Sequence, residues 1–208
     1  MSNPYELYFV TDEHQSLNTL CKVVEQAVEG GVTMVQVREK HGDVRAFIQR
    51  ARAVKSVLQG SDVPLIINDR VDVALAIDAC GVHLGQSDMP VDDARRLIGR
   101  DKLLGLSVES EQQLLAAQSL DVDNLGVSAI FATATKTNTV NHWGLVGLQG
   151  AVSLSSKPLV AIGGINHTNI QKVAATGVEG IALVSAISSA EDPKRVSSEL
   201  LQLIRRAR

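Results

Sequence analysis

Asp69 and Asp88 are the residues whose types and spacing most directly suggest chemistry. Each follows a short apolar run, Leu65-Ile66-Ile67-Asn68 and Gly81-Val82-His83-Leu84, so both sit at strand exits in consecutive βα units. Two carboxylates at one rim can share a hard divalent cation such as Mg²⁺, whose remaining sites go to water and substrate phosphates. The competing role for Asp69 is a helix N-cap, which Asp favours. Beside the pair lies Gln36-Val37-Arg38-Glu39-Lys40. Period-2 spacing puts Gln36, Arg38 and Lys40 on one face if the strand runs on. Arg grips phosphate in bidentate fashion and Lys acts as a point charge. The plainer reading pairs Glu39 with Lys40 on a solvated strand end. A second anion site is suggested by Ile162-Gly163-Gly164-Ile165 and Val184-Ser185, where backbone N–H groups can approach a phosphate. Lys136 lies between the two on a Thr- and Asn-rich stretch, Ser128 to Trp143. The layout fits two phosphorylated small-molecule substrates, one a diphosphate and one a monophosphate.

These residues need a scaffold that delivers strand ends to one rim. The 208 residues, 45% hydrophobic and 21% charged, suit one globular domain spanning 1–208. Net charge −3 and 3% aromatics argue against nucleic acid as a partner. No apolar run reaches 18 residues, so no membrane span is expected. No signal peptide is visible in Met1 to Glu6, and Cys21 and Cys80 read as buried small hydrophobes of a reducing, cytoplasmic compartment. Apolar positions exposed on barrel helices would be compatible with a homo-oligomer.

Eight apolar runs alternate with helical patterns. The strands are expected at Leu7–Val10, Thr33–Val37, Pro64–Ile67, Val82–Leu84, Leu103–Leu106, Asn124–Val127, Leu159–Ile162 and Gly180–Val184. The helices are expected at Ser16–Glu29, Asp43–Leu58, Val71–Ala79, Asp92–Ile98, Glu111–Leu120, Gly144–Leu154, Asn166–Ala175 and Pro193–Arg206. Strands apolar along their length imply a sheet covered on both faces. Eight such units predict an α/β fold, a single (β/α)8 TIM barrel, in which chemistry sits at the C-terminal strand ends. An open doubly wound sheet is the weaker alternative, because no Gly-x-Gly-x-x-Gly follows the first strand. His83, inside a strand, reads more simply as a packed core histidine. Trp143 either packs the long stretch down or lines the pocket.

Together the motifs resemble those of the thiamine phosphate synthase family, from Leu7 to about Leu201. They include Tyr8-Phe9-Val10-Thr11-Asp12, Val35-Gln36-Val37-Arg38-Glu39-Lys40, Asn68-Asp69-Arg70 and Gly81-Val82-His83-Leu84-Gly85-Gln86-Ser87-Asp88. They continue with Leu104-Gly105-Leu106-Ser107, Thr133-Ala134-Thr135-Lys136, Ile162-Gly163-Gly164 and Val184-Ser185-Ala186. The resemblance implies Mg²⁺-dependent coupling of 4-amino-2-methyl-5-hydroxymethylpyrimidine diphosphate with a thiazole phosphate, releasing pyrophosphate. It implies Asp69 and Asp88 as metal ligands. Gln36, Val37, Arg38, Glu39, Lys40, Asn68, Ser107 and Lys136 would match the pyrimidine diphosphate site, with Arg38, Lys40, Ser107 and Lys136 catalytic. Thr133, Ala134, Thr135, Gly164, Val184 and Ser185 would match the thiazole phosphate site. The sequence departs from the family's usual pattern at Ser128, Ala129, Ala132 and Trp143, and Glu109 stands where His is common. Two other readings of the same fold are a thiazole tautomerase-like isomerase and a non-catalytic phosphate-binding barrel.

Overall fold

The computed structural model describes residues 3–133 and 142–208. Eight parallel strands close into a barrel in sequence order, with β1 (Leu7–Val10) pairing both β2 (Met34–Val37) and β8 (Gly180–Leu183). Between them run β3 (Leu65–Asn68), β4 (Gly81–Leu84), β5 (Leu103–Val108), β6 (Asn124–Ser128) and β7 (Leu159–Ile162). This is the expected (β/α)8 TIM barrel. No helix among the described residues is long and apolar enough to cross a membrane.

The helices are α1 (Leu17–Glu29), α2 (Val44–Val57), α3 (Val71–Ala76), α4 (Val91–Ile98), α5 (Glu111–Ala117), α6 (Gly144–Leu154), α7 (Ile170–Ala174), α8 (Ser185–Ser188) and α9 (Pro193–Ala207). Their starts follow local chemistry. The Ser16 hydroxyl accepts from the Thr19 N–H, the Asp43 carboxylate from Arg45 and Ala46, the Ser110 hydroxyl from Gln113, and the Asp192 carboxylate from Arg195. Each cap satisfies donors that the first helical turn leaves unpaired.

Two differences from the sequence expectation have clear causes. The helix expected at Asn166–Ala175 begins only at Ile170. Asn166 and Asn169 use their side chains on local backbone instead: Asn166 Oδ1 accepts from the Thr168 N–H and Asn169 Oδ1 from the Asn166 N–H. Such Asx bonding competes with helix. Helix α8 is additional, a single turn that Ser185 opens directly after β8. The cysteines also differ from expectation: Cys21 is only half-buried and Cys80 is exposed, and both are free thiols.

Strand alternation divides the core in two. Leu7, Phe9, Val35, Val37, Ile67, Val82, Leu84, Leu104, Leu125 and Ile181 point outward into a continuous layer beneath the helices. Tyr5, Tyr8, Val10, Met34, Ile66, Val160 and Ala182 form a smaller cluster inside the barrel. The apolar appearance of the strands has this origin, since both faces of a βα-barrel sheet are covered. Close approach between strands is enforced where side chains are missing. A Cβ added at Gly81 would lie 2.3 Å from the Leu103 carbonyl oxygen. Gly81→Ala should therefore force neighbouring strands apart and cost about 2–3 kcal/mol, measured as a lowered urea midpoint with unchanged m.

Candidate functional site

The interior apolar cluster fills the barrel's lower half, and the upper half opens as a cavity of about 350 Å³, within the usual range for small-ligand sites. Inward-pointing positions of successive strands line it: Tyr8 and Val10 of β1, Gln36 of β2, Asn68 of β3, His83 of β4, Ser107 of β5, Gly126 and Ser128 of β6, Val160 and Ile162 of β7 and Ala182 of β8. Beyond the strand ends, Arg38, Lys40, Asp69, Thr133, Gly163, Gly164, Val184 and Ser185 complete the rim. Gln36, Arg38 and Lys40 thus share the cavity face, as their spacing predicts. Gln36, Asn68 and Ser107 stand within strands rather than after them. A polar side chain at a barrel mouth does not disturb the backbone ladder that carries it.

Val37 and Glu39 occupy the alternate positions and leave the cavity lining. Val37 is fully buried beneath the helices. Glu39 accepts a hydrogen bond from Arg50 Nε at 2.8 Å, and both side chains are largely buried. Glu39 is therefore balanced by Arg50 of α2, not by Lys40. Burial pushes its carboxyl above the usual range, and Arg50 opposes that shift.

Lys40 instead bonds Asp69 through its Nζ. Asp69 is not a helix cap; α3 is preceded by Arg70 and has no side-chain cap. Asp69 sits at φ 61°, a backbone region costly for a residue with a Cβ. That turn aims its carboxylate at Lys40, with Asp88 close enough to disfavour its negative charge. Asp88 is held from below, its Oδ2 accepting the Gly85 N–H at 2.6 Å. Burial raises the Asp69 carboxyl above its ordinary value, Lys40 pulls it down, and Asp88 adds to the rise. Among the described residues no cluster of three or more His, Cys, Asp or Glu could hold a metal. The two carboxylates alone nevertheless fit a hard cation that takes one or two protein oxygens. Their mutual repulsion is what such a charge would relieve.

His83 faces the cavity and its Nε2 lies 2.9 Å from Ser107 Oγ. Its ring occupies space that two glycines leave open. A Cβ at Gly105 would meet His83 Nδ1 at 2.4 Å, and one at Gly126 would meet Cε1 at 3.0 Å. The packed-core reading of His83 is thus corrected. The inward direction follows from strand parity once Val82 and Leu84 are placed in the outer layer. Tyr8 was likewise missed, and its hydroxyl accepts from Gln36 Nε2 at 2.7 Å deep in the barrel.

On the opposite rim, Gly163 and Gly164 have φ of 105° and 66°. A Cβ on either would strike the segment after β6, at 2.6 Å from Ala129 Cβ and from the Ala132 carbonyl oxygen respectively. The glycine pair therefore lets the β7 loop pack on the β6 segment while its backbone lines the cavity. Trp143 packs against the outer core layer rather than the cavity. Ala134, Thr135 and Lys136 lie outside the described residues.

A family model described as thiamine monophosphate synthase matches residues 7–187. The chain belongs to the thiamine monophosphate synthase family. A thiamine-phosphate synthase of Vibrio campbellii is 67% identical over 203 residues, covering 98% of this chain and 100% of that protein. The thiamine-phosphate synthase of Albidiferax ferrireducens is 50% identical, covering 95% of this chain and 91% of its own. Among solved structures, a thiamine phosphate pyrophosphorylase from Pyrococcus furiosus superposes with a TM-score of 0.88 at 36% identity, covering 99% of this chain and 98% of that one. The (S)-3-O-geranylgeranylglyceryl phosphate synthase of Thermoplasma acidophilum shares the fold, with a TM-score of 0.72 at 13% identity, 97% coverage of this chain and 93% of that one.

Tyr8→Phe tests the buried end of the cavity. It leaves the Gln36 amide without its acceptor, and stability should fall by about 1–3 kcal/mol in chemical denaturation.

Proposed function

We propose that this chain couples a hydroxymethylpyrimidine diphosphate to a thiazole phosphate, giving thiamine phosphate and pyrophosphate. The observation that carries the reading is the grouping of Arg38, Lys40 and Asp69 at the ends of β2 and β3, with Asp88 of the β4 exit beside Asp69, across one cavity from Gly164, Val184 and Ser185. The first group suits a diphosphate and the second, with Thr133, Ala134 and Thr135, a thiazole phosphate.

The coupling breaks the bond between the pyrimidine methylene carbon and its diphosphate oxygen. The electron pair leaves with pyrophosphate, and the thiazole ring nitrogen supplies the pair for the new C–N bond. Negative charge on the diphosphate grows as the bond opens, so positive groups fixed there before reaction lower the barrier. Arg38 and Lys40 serve that role, and Lys136 is assigned to it on the sequence motif alone. Asp69 and Asp88 would hold Mg²⁺, which supplies charge neutralisation to the leaving group when bound. Lys40 then has two duties. It offsets the carboxylate pair, and its ammonium would be available to the diphosphate with a cation held by that pair. Gln36, Asn68 and Ser107 would orient the pyrimidine. Asn68 Nδ2 is a buried donor without an acceptor among the described residues, as a ligand-directed amide should be. No side chain has to act as a nucleophile. Much of the remaining rate comes from holding two reactants in one enclosed space.

Pyrophosphate release with both substrates is the direct test; an isomerase of this fold would release none. Asp69→Asn should slow release by about 10²-fold and raise the magnesium concentration needed for half-maximal rate. Unchanged turnover would remove Asp69 from the site. Lys136→Ala should slow release by about 10²-fold with an unchanged melting temperature, since its proposed contact is with substrate.

A further inference from the structure

The strands β1 and β2 end before the residues that matter most. Their ladder closes with the Thr11 N–H donating to the Gln36 carbonyl at 2.9 Å. A regular parallel ladder would continue with the Arg38 N–H donating to the Thr11 carbonyl and the Lys40 N–H to the carbonyl of residue 13. Side-chain oxygens of those same two residues stand in for the carbonyls. The Arg38 N–H donates to Thr11 Oγ1 at 3.1 Å, and the Lys40 N–H donates to Glu13 Oε2 at 3.0 Å. Glu13 Oε2 also accepts the His41 N–H at 3.0 Å, with His41 Nδ1 3.1 Å away.

We propose that Glu13 is a positioning residue for the coupling reaction, extending the β1–β2 pairing through its carboxylate so that the Lys40 ammonium is held over the diphosphate site. The inference rests on the reading of Lys40 as a diphosphate contact. Glu13 does not line the cavity, and its hydrogen bond to Lys40 is to the backbone N–H. Its carboxylate is nearly buried, at 11% exposure, yet the exposed His41 ring is the sole basic side chain paired with it among the described residues. Burial raises its carboxyl, but the N–H groups of Lys40 and His41 outweigh that and hold it below the usual range, so it stays anionic. A charged acceptor makes stronger bonds to N–H than a carbonyl does.

The neighbourhood is braced to match. Glu39, between the two positioned cations, turns the other way onto Arg50. Arg50 also donates from Nη1 to the Gln15 carbonyl at 2.8 Å, tying the loop that carries Glu13 to α2. Glu13 and Lys40 therefore belong to one frame, and the alternation that sends Lys40 inward is set by the bond to Glu13. Without that bond, the backbone at Lys40 has no partner on the β1 side, and a long flexible side chain must find its position unaided.

A double-mutant cycle with Glu13→Ala and Lys40→Ala tests this, read as kcat/KM for the pyrimidine diphosphate at saturating thiazole phosphate. Glu13→Ala should lower it about tenfold, equivalent to loosening one contact worth roughly 1.4 kcal/mol, and leave KM for thiazole phosphate within about twofold. Glu13→Gln, which keeps a carbonyl acceptor, should recover most of the loss. In the Lys40→Ala background, Glu13→Ala should cost less than about twofold. Titration calorimetry with pyrophosphate and Mg²⁺ should show the same pattern in affinity. An undiminished loss in the Lys40→Ala background, or an equal loss toward both substrates, would overturn the positioning role. If Lys40→Ala itself leaves activity and pyrophosphate affinity unchanged, the diphosphate reading of Lys40 falls and this inference with it. Should Glu13→Ala not fold, the cycle is run with Glu13→Ser, whose hydroxyl is too short to reach the Lys40 N–H, and judged by the same criterion.

Discussion

Closure of the parallel ladder is the constraint on which everything else depends. Once β8 pairs with β1, no strand can shift register without breaking bonds around the whole ring. Side-chain alternation is then fixed for all eight strands together. Residues of one parity pack beneath the helices, and those of the other face the barrel axis. The axis is too narrow to remain empty at its base, where Tyr5, Tyr8, Met34 and Ile66 fill it. At the mouth the same parity presents Gln36, Asn68, His83 and Ser107. A polar ring on rigid strands is a good support for catalysis, because its members cannot drift relative to one another.

The charged rim is built differently. Arg38, Lys40, Asp69 and Asp88 lie beyond the strand ends, where ladder bonds no longer hold the chain. Each is secured by a local device: Asp69 by an unusual backbone angle, Asp88 by the Gly85 N–H, and the β2 extension by side chains of Thr11 and Glu13. The carboxylate pair and Lys40 are mutually dependent. Two adjacent carboxylates repel, a single ammonium offsets only part of that, and a divalent charge fits what remains. The proposed pairing of a cation with a polyanionic substrate rests on that balance.

Much of this was legible in one sequence. Eight apolar runs alternating with helical periods pointed to the barrel, and polar residues just after those runs pointed to the rim. Asp69, Asp88, Arg38 and Lys40 draw notice in the sequence because each lies just after an apolar run, and the structure gathers them at neighbouring strand exits. What escaped was whatever depended on parity inside a strand or on contact between distant segments. His83 looked like core because strand periodicity alone does not say which face is inward. The room made for its ring by Gly105 and Gly126 is a cross-strand fact. Glu39 looked like a partner for its neighbour Lys40, yet alternation separates them and Arg50, eleven residues on, claims it. Asn166 and Asn169 were read as helix because periodicity does not register side chains that bond their own backbone.

By itself the sequence determined the number and order of the strands, the barrel they form and the chemical types gathered at their ends, since these follow from local hydrophobic pattern and residue chemistry. Only the closed tertiary structure decided which of those residues share a face, which charges pair, and how backbone beyond the ladder is held. Those outcomes are set by distances between segments far apart in the chain, and a linear pattern carries no measure of them.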